Sequence, residues 1–229
     1  MKYLNTIISF IRMILKMSIP PPTVPPTVSV TKKEVPMDDQ NTSTIDPDSF
    51  SAVALPLVLI FEGGYSNIPE DKGGSTNHGV TQKTYDSYRQ LKNLDTGDVK
   101  DITDDEVSEI YYNYYWLASH CDKMPEKVAV VVFDTSVNSG GGRAARTLQQ
   151  ALGVNVDGSV GNITLSKLQE SDPLAVANSF LGIREQFYNN LASNDPTQQK
   201  FLAGWLRRLG LVKDFVNEVK GLDGVKAAW

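Results

Sequence analysis

The chain has 229 residues and a net charge of −5, with 41% apolar and 21% charged residues. That length holds one catalytic domain of roughly 180 residues plus an N-terminal extension, with enough core to fold unaided. The mild acidity and the lack of a basic stripe exclude a nucleic-acid partner, and the single cysteine, Cys121, excludes an internal disulfide.

At the N-terminus, Leu4, Ile7, Ile8, Ile11, Ile14 and Leu15 share one helical face, and Asn5, Ser9, Arg12 and Lys16 the other. Residues 3–16 therefore read as a short amphipathic helix with a basic polar side, suited to weak association with the inner membrane. The stretch is too short, and interrupted by Arg12, for a transmembrane span. It also lacks the small-residue cleavage site of a signal peptide. An alternative reading starts the protein at Met17. The prolines from Pro20 to Pro26 form an extended, solvated spacer, and residues 1–46 are assigned to this segment and its linker.

The segment from Phe50 to Phe61 is almost wholly apolar and reads as a buried helix, with Pro56 producing a kink or a late restart. Residues 63–80 are rich in glycine and turn formers and read as a loop or small hairpin. Thr81 caps a helix that runs past Tyr88. Thr103 and Glu106 form a capping box for an aromatic-rich helix extending to about Leu117. Glu126 to Val137 is apolar enough to be a central helix, broken by Gly140, Gly141 and Gly142. The next helix ends at Gly153. Asp172-Pro173 and Asp195-Pro196 each start a helix. No sustained alternation argues for a large sheet. The expected class is mainly α, a lysozyme-like helical domain with a small β-hairpin near the catalytic loop. Residues 47–125 are assigned to the catalytic region and 126–229 to a helical region packed on it.

Chemistry concentrates where the first helix stops. Glu62 is delivered to the edge of a core and followed by Gly63 and Gly64. Burial disfavours the charged carboxylate, so such a group stays protonated to higher pH and acts as a general acid. Asp71 lies in a polar, glycine-rich turn. Two carboxyls in contrasting environments suit hydrolysis of a glycosidic bond, although Asp71 also fits a turn-stabilising role. Asn67, Ser75, Thr76, Asn77 and Thr81 supply neutral hydrogen-bonding groups for sugar hydroxyls or an attacking water. Tyr65 suits packing or substrate positioning. Asp134 sits in an apolar helix and requires a hydrogen-bond or ionic partner. The glycines before Arg143 do not form a phosphate loop, and the loop at Asp157 lacks a calcium ligand series. With His78 and His120 also isolated, no metal or cofactor is expected.

The spacing of Glu62, Asp71 and Asn77 is similar to the acid, aspartate and threonine pattern of phage-type lysozymes, with asparagine in place of threonine. More specifically, three runs resemble glycoside hydrolase family 108, the N-acetylmuramidases that include many phage endolysins. These are Glu62-Gly63-Gly64-Tyr65-Ser66, Asp71-Lys72-Gly73-Gly74-Ser75-Thr76-Asn77 and Gly79-Val80-Thr81. Phe133-Asp134, Asn138-Ser139-Gly140, the run from Gly153 to Thr164 and that from Phe201 to Arg208 resemble the family's accompanying peptidoglycan-binding region. The resemblance implies cleavage of the β-1,4 bond between N-acetylmuramic acid and N-acetylglucosamine, with Glu62 the essential acid. It also implies synthesis in a bacterial cytoplasm and action at the cell wall in host lysis. Catalytic roles thus fall to Glu62 and Asp71, and substrate contacts to Tyr65, Asn67, Thr76, Asn77 and Thr81. Peptidoglycan is the expected partner and a monomer the expected state. A lytic transglycosylase, which needs the acid but no second carboxylate, and a non-catalytic wall-binding or virion protein are the alternatives.

Overall fold

The computed structural model describes residues 48–67 and 74–229. The N-terminal amphipathic segment, the proline spacer and Asp71 lie outside the described residues.

The first helix opens as a π-turn, Phe50–Ala54, and continues as α1, Leu55–Glu62. Leu55 N–H bonds back to the Phe50 carbonyl. This wide turn places Pro56 in the first turn of α1, where a missing donor costs little. The expected disruption is therefore absorbed by a change of helical pitch before the proline. Gly63, at φ 71°, stops the helix directly after Glu62.

The expected hairpin is present as β1, Thr76–Asn77, paired antiparallel with β2, Val80–Thr81. Its turn is His78-Gly79, both at positive φ (47° and 76°), as a two-residue type I′ connection requires. Thr81 then caps α2, Gln82–Leu91, by accepting from the Thr84 amide. Both arms of the Thr103–Glu106 capping box are made at the start of α3, Asp104–Tyr111. A second π-turn, Tyr112–Trp116, follows.

The central helix, α4, spans Glu126–Ser139 and is buried continuously from Val128 to Asn138. A helix buried on every side must sit at the middle of its body, and around α4 pack α5, Gly141–Leu152, α7, Pro173–Asn194, and α8, Gln199–Val216. The short α6, Asn162–Gln169, leans on α5. The turn between them is held by Gln149, whose side chain donates to Asp157 and to the Ser159 carbonyl and accepts from the Gly158 amide. The last helix, α9, Leu222–Ala228, returns to α1, and Trp229 meets Phe61 edge-on at 5.0 Å. Among the described residues the protein is mainly helical, with one two-stranded hairpin, and no helix is long and apolar enough to cross a membrane.

Candidate active site

Glu62 ends α1 with only 4% of its surface exposed. Leu57, Val58 and Phe61 anchor the same helix in the core, which fixes the backbone that carries the carboxyl. Three walls enclose it. The first is the hairpin turn: a Cβ on Gly79 would lie 3.0 Å from Glu62 Oε2 and 2.3 Å from the Tyr111 hydroxyl. The second is aromatic. Tyr111 of α3 donates to the His78 carbonyl at 2.9 Å, which pins the turn in place, and Tyr115 lies close enough to act electrostatically on Glu62.

The third wall is ionic and comes from far along the chain. Arg208 of α8 donates through Nη1 to Glu62 Oε1 at 2.8 Å. Its Nε and Nη2 both donate to Asp134 Oδ1 of α4, at 2.9 and 2.7 Å. Asp134 Oδ2 accepts from Arg184 of α7 at 2.5 Å. Arg184 also donates to the Tyr188 hydroxyl, which in turn donates to Asn138 Oδ1 at 2.6 Å. Each member of this cluster is 4% exposed or less. The partner that the sequence demands for Asp134 is thus a pair of arginines.

The electrostatics follow from this enclosure. Burial raises the Glu62 pKa above the ordinary glutamate value, and Asp134 adds to the rise; the Arg208 charge and hydrogen bond oppose it without reversing it. Asp134 is equally buried, yet its two arginines outweigh desolvation and hold it below the usual aspartate range. Arg208 is raised, because two carboxylates offset its own desolvation. Burial likewise pushes Tyr111 upward and Tyr115 up to about 12, so both stay neutral. One acid poised for protonation beside one held ionised is the separation that acid catalysis uses.

The other expected site residues fall into distinct places. Tyr65 is 43% exposed, with the Lys100 ammonium 5.9 Å from its ring. Asn67 is exposed. Asn77 is buried and donates to the Lys100 carbonyl at 3.0 Å, which ties β1 to the turn at Val99–Asp101. Thr76 is buried, and among the described residues its hydroxyl has no partner. The Thr81 hydroxyl accepts from the Thr84 amide and pairs with the Thr84 hydroxyl, a helix-capping arrangement. Gly79, Tyr111, Arg184 and Arg208 escape sequence reasoning as site residues. The two arginines carry a signal nonetheless. Arg208 shares a face with Trp205 and Val212, and Arg184 with Phe180 and Tyr188, at helical spacing. A charge on an apolar face needs a buried counter-charge.

One buried acid at a glycine-lined turn, beside a fixed ionic cluster, is chemically suited to acid-assisted hydrolysis. The comparisons with known proteins agree. Residues 55–140 match the glycosyl hydrolase 108 family, and residues 143–210 match the predicted peptidoglycan domain. The chain therefore carries a glycosyl hydrolase 108 domain followed in tandem by a predicted peptidoglycan domain, and is a glycoside hydrolase. Among solved structures it is similar to SagA from Brucella abortus, at 28% identity and a TM-score of 0.62, over 76% of this chain and 96% of that one. No curated protein matches it.

Proposed function

We propose that the protein is an N-acetylmuramidase: it hydrolyses the β-1,4 bond between N-acetylmuramic acid and N-acetylglucosamine, with Glu62 as proton donor to the leaving oxygen. The observation that carries this reading is the buried carboxyl of Glu62, raised by desolvation, at the end of α1 within the region matching glycosyl hydrolase 108. The match of residues 143–210 to a predicted peptidoglycan domain supports the choice of substrate.

Acid assistance leaves positive charge on the anomeric carbon, which a carboxylate or an activated water must meet. Asp134 is committed to two arginines. That part falls instead to Asp71, from the polar turn, or to a water held in the neighbourhood of Asn77 and Thr81. Tyr65, Asn67 and Thr76 supply substrate contacts along the segment leading from α1 to the hairpin. Action on the cell wall in host lysis fits this chemistry.

Mass spectrometry of purified peptidoglycan digested by the wild-type chain and by Glu62→Gln tests the reading. The wild type should release fragments with a reducing N-acetylmuramic acid end, and Glu62→Gln should lose about 10²–10⁴-fold in rate. Fragments ending in an anhydro sugar would make the protein a lytic transglycosylase. Cleavage by a folded Glu62→Gln chain at the wild-type rate would remove Glu62 from the chemistry.

A further inference from the structure

We infer that Arg208 is a positioning residue for Glu62: by engaging Oε1 it confines the transferable proton to Oε2, so the region matching the peptidoglycan domain completes the active site rather than serving only to hold the wall. The inference rests on the reading of Glu62 as proton donor.

The argument begins with donors and acceptors. A guanidinium carries only donors. Arg208 Nη1 lies 2.8 Å from Glu62 Oε1, so that oxygen must accept, and a protonated Glu62 must carry its hydrogen on Oε2. Oε2 is the oxygen on the hairpin side, 3.0 Å from the position a Gly79 side chain would take. The arginine therefore chooses which face of the carboxyl is acidic. Without it the two oxygens would be free to exchange roles.

The aim of the guanidinium is fixed from both sides. Two of its N–H groups are spent on Asp134 Oδ1, and its Cζ lies 4.7 Å from the centroid of the Phe61 ring, the residue directly before the acid. Arg184 and Asn138 hold Asp134 and Tyr188 in turn. Holding α8 against α4 needs only the Asp134 contacts. The third, to an acid 146 residues earlier in sequence, is surplus to that purpose. Buried ion pairs contribute little net stability over apolar packing. Fixed supporting bonds, by contrast, are what keep a reacting group within its productive geometry.

Arg208→Lys separates positioning from packing. Lysine keeps the charge but lacks the fork, so it cannot hold Asp134 and Glu62 together. Alongside it run wild type and Glu62→Gln, on purified peptidoglycan across pH. The charged and titratable groups facing Glu62 are Arg208 from α8, Asp134 from α4, Tyr111 from α3 and Tyr115 from the following turn. Arg184 reaches it through Asp134. With the tyrosines neutral, loss of the Arg208 bond should move the alkaline limb of kcat upward in pH. It should also lower kcat about 10–100-fold by misplacing the proton, with sacculus binding unchanged. Weakened sacculus binding with wild-type kcat and pH profile would overturn the inference and return Arg208 to a wall-holding role. An active Glu62→Gln chain would instead sink the functional reading. Should Arg208→Lys fail to fold, NMR of the wild type decides. The Arg208 side-chain nitrogen signals should shift at the same pH midpoint as the Glu62 carboxyl carbon, and indifference to it would overturn the inference.

Discussion

Gly79→Ala is the most telling single perturbation of this site. The added methyl faces two costs. At φ 76° the residue sits in the left-handed region, where a side chain costs about 1–2 kcal/mol. The Cβ would also stand 2.3 Å from the Tyr111 hydroxyl and 3.2 Å from Glu62 Cβ. Tyr111 is 1% exposed and bonded to the His78 carbonyl, so it has nowhere to retreat. Overpacking of this kind costs about 1–3 kcal/mol more. The sum, about 2–5 kcal/mol, corresponds to a fall in Tm of roughly 4–20 °C for a domain of this size. Gly153→Ala is the matched control: φ is 67°, but nothing lies within 4 Å of its Cβ. It should lose only the conformational part, about 1–2 kcal/mol, and keep kcat. Gly79→Ala should also lose kcat, by about 10²-fold if the carboxyl moves by 1 Å. Differential scanning calorimetry and a peptidoglycan solubilisation assay on both variants give the answer. Equal losses of Tm, with kcat intact in Gly79→Ala, would refute the packing of the turn against the acid.

Three further outcomes follow from the same geometry. Tyr111→Phe should cost about 0.5–1.5 kcal/mol, because the half-buried His78 carbonyl loses its donor; urea unfolding measures it, and no loss would mean that the bond contributes nothing. Asp71→Asn should lower kcat more than it raises KM if the carboxylate meets the cationic transition state, whereas a change in KM alone would make it a positioning group. Stability should have two pH limbs, read from thermal melts. Asp134 is depressed when folded, so its contribution is present above its unfolded value and lost as pH falls through the folded one. Glu62 is raised, so its contribution is present below its unfolded value and lost as pH rises through the folded one. Glu62→Gln should erase the second limb and leave the first.

What the sequence discloses here is what is decided locally. Thr81, Thr103 and Asp172 announce helix starts because a side-chain oxygen meets the amide three residues on. The buried character of the segment from Glu126 is equally plain, since its apolar residues leave no polar face. Pro56 warns of an irregular helix, but the remedy, a π-turn from Phe50 to Ala54, lies upstream of the proline and depends on the packing of Phe50 against Trp116 and Phe133. Glu62 is legible because helix, burial and glycine stop adjoin in the chain. Its partner is not, being 146 residues away. Asp134 shows the boundary well: its need for a counter-charge is visible, whereas the identities of Arg184 and Arg208, 50 and 74 residues on, are set by how α7 and α8 cross α4.

The same cluster explains how an acid can sit beside an arginine and still be raised. A guanidinium facing Glu62 alone would bind both carboxylate oxygens and hold the group ionised. Asp134 prevents this by taking two of the three N–H groups that Arg208 directs into the cluster, and its own charge pushes Glu62 upward. Arg184, by holding the far oxygen of Asp134, keeps that carboxylate from following the proton. Asp134→Asn should therefore act on Glu62 in the opposite sense to Arg208→Lys. With the competing charge gone, Arg208 is free to engage Glu62 fully, the carboxyl becomes more acidic, and the alkaline limb of kcat moves down in pH. The variant leaves two buried arginines short of a counter-ion and will be less stable by about 3–5 kcal/mol, so the profile is to be taken well below its melting temperature. An upward shift in Asp134→Asn would mean that Asp134 does not divide the arginine's charge and that burial alone sets the acid.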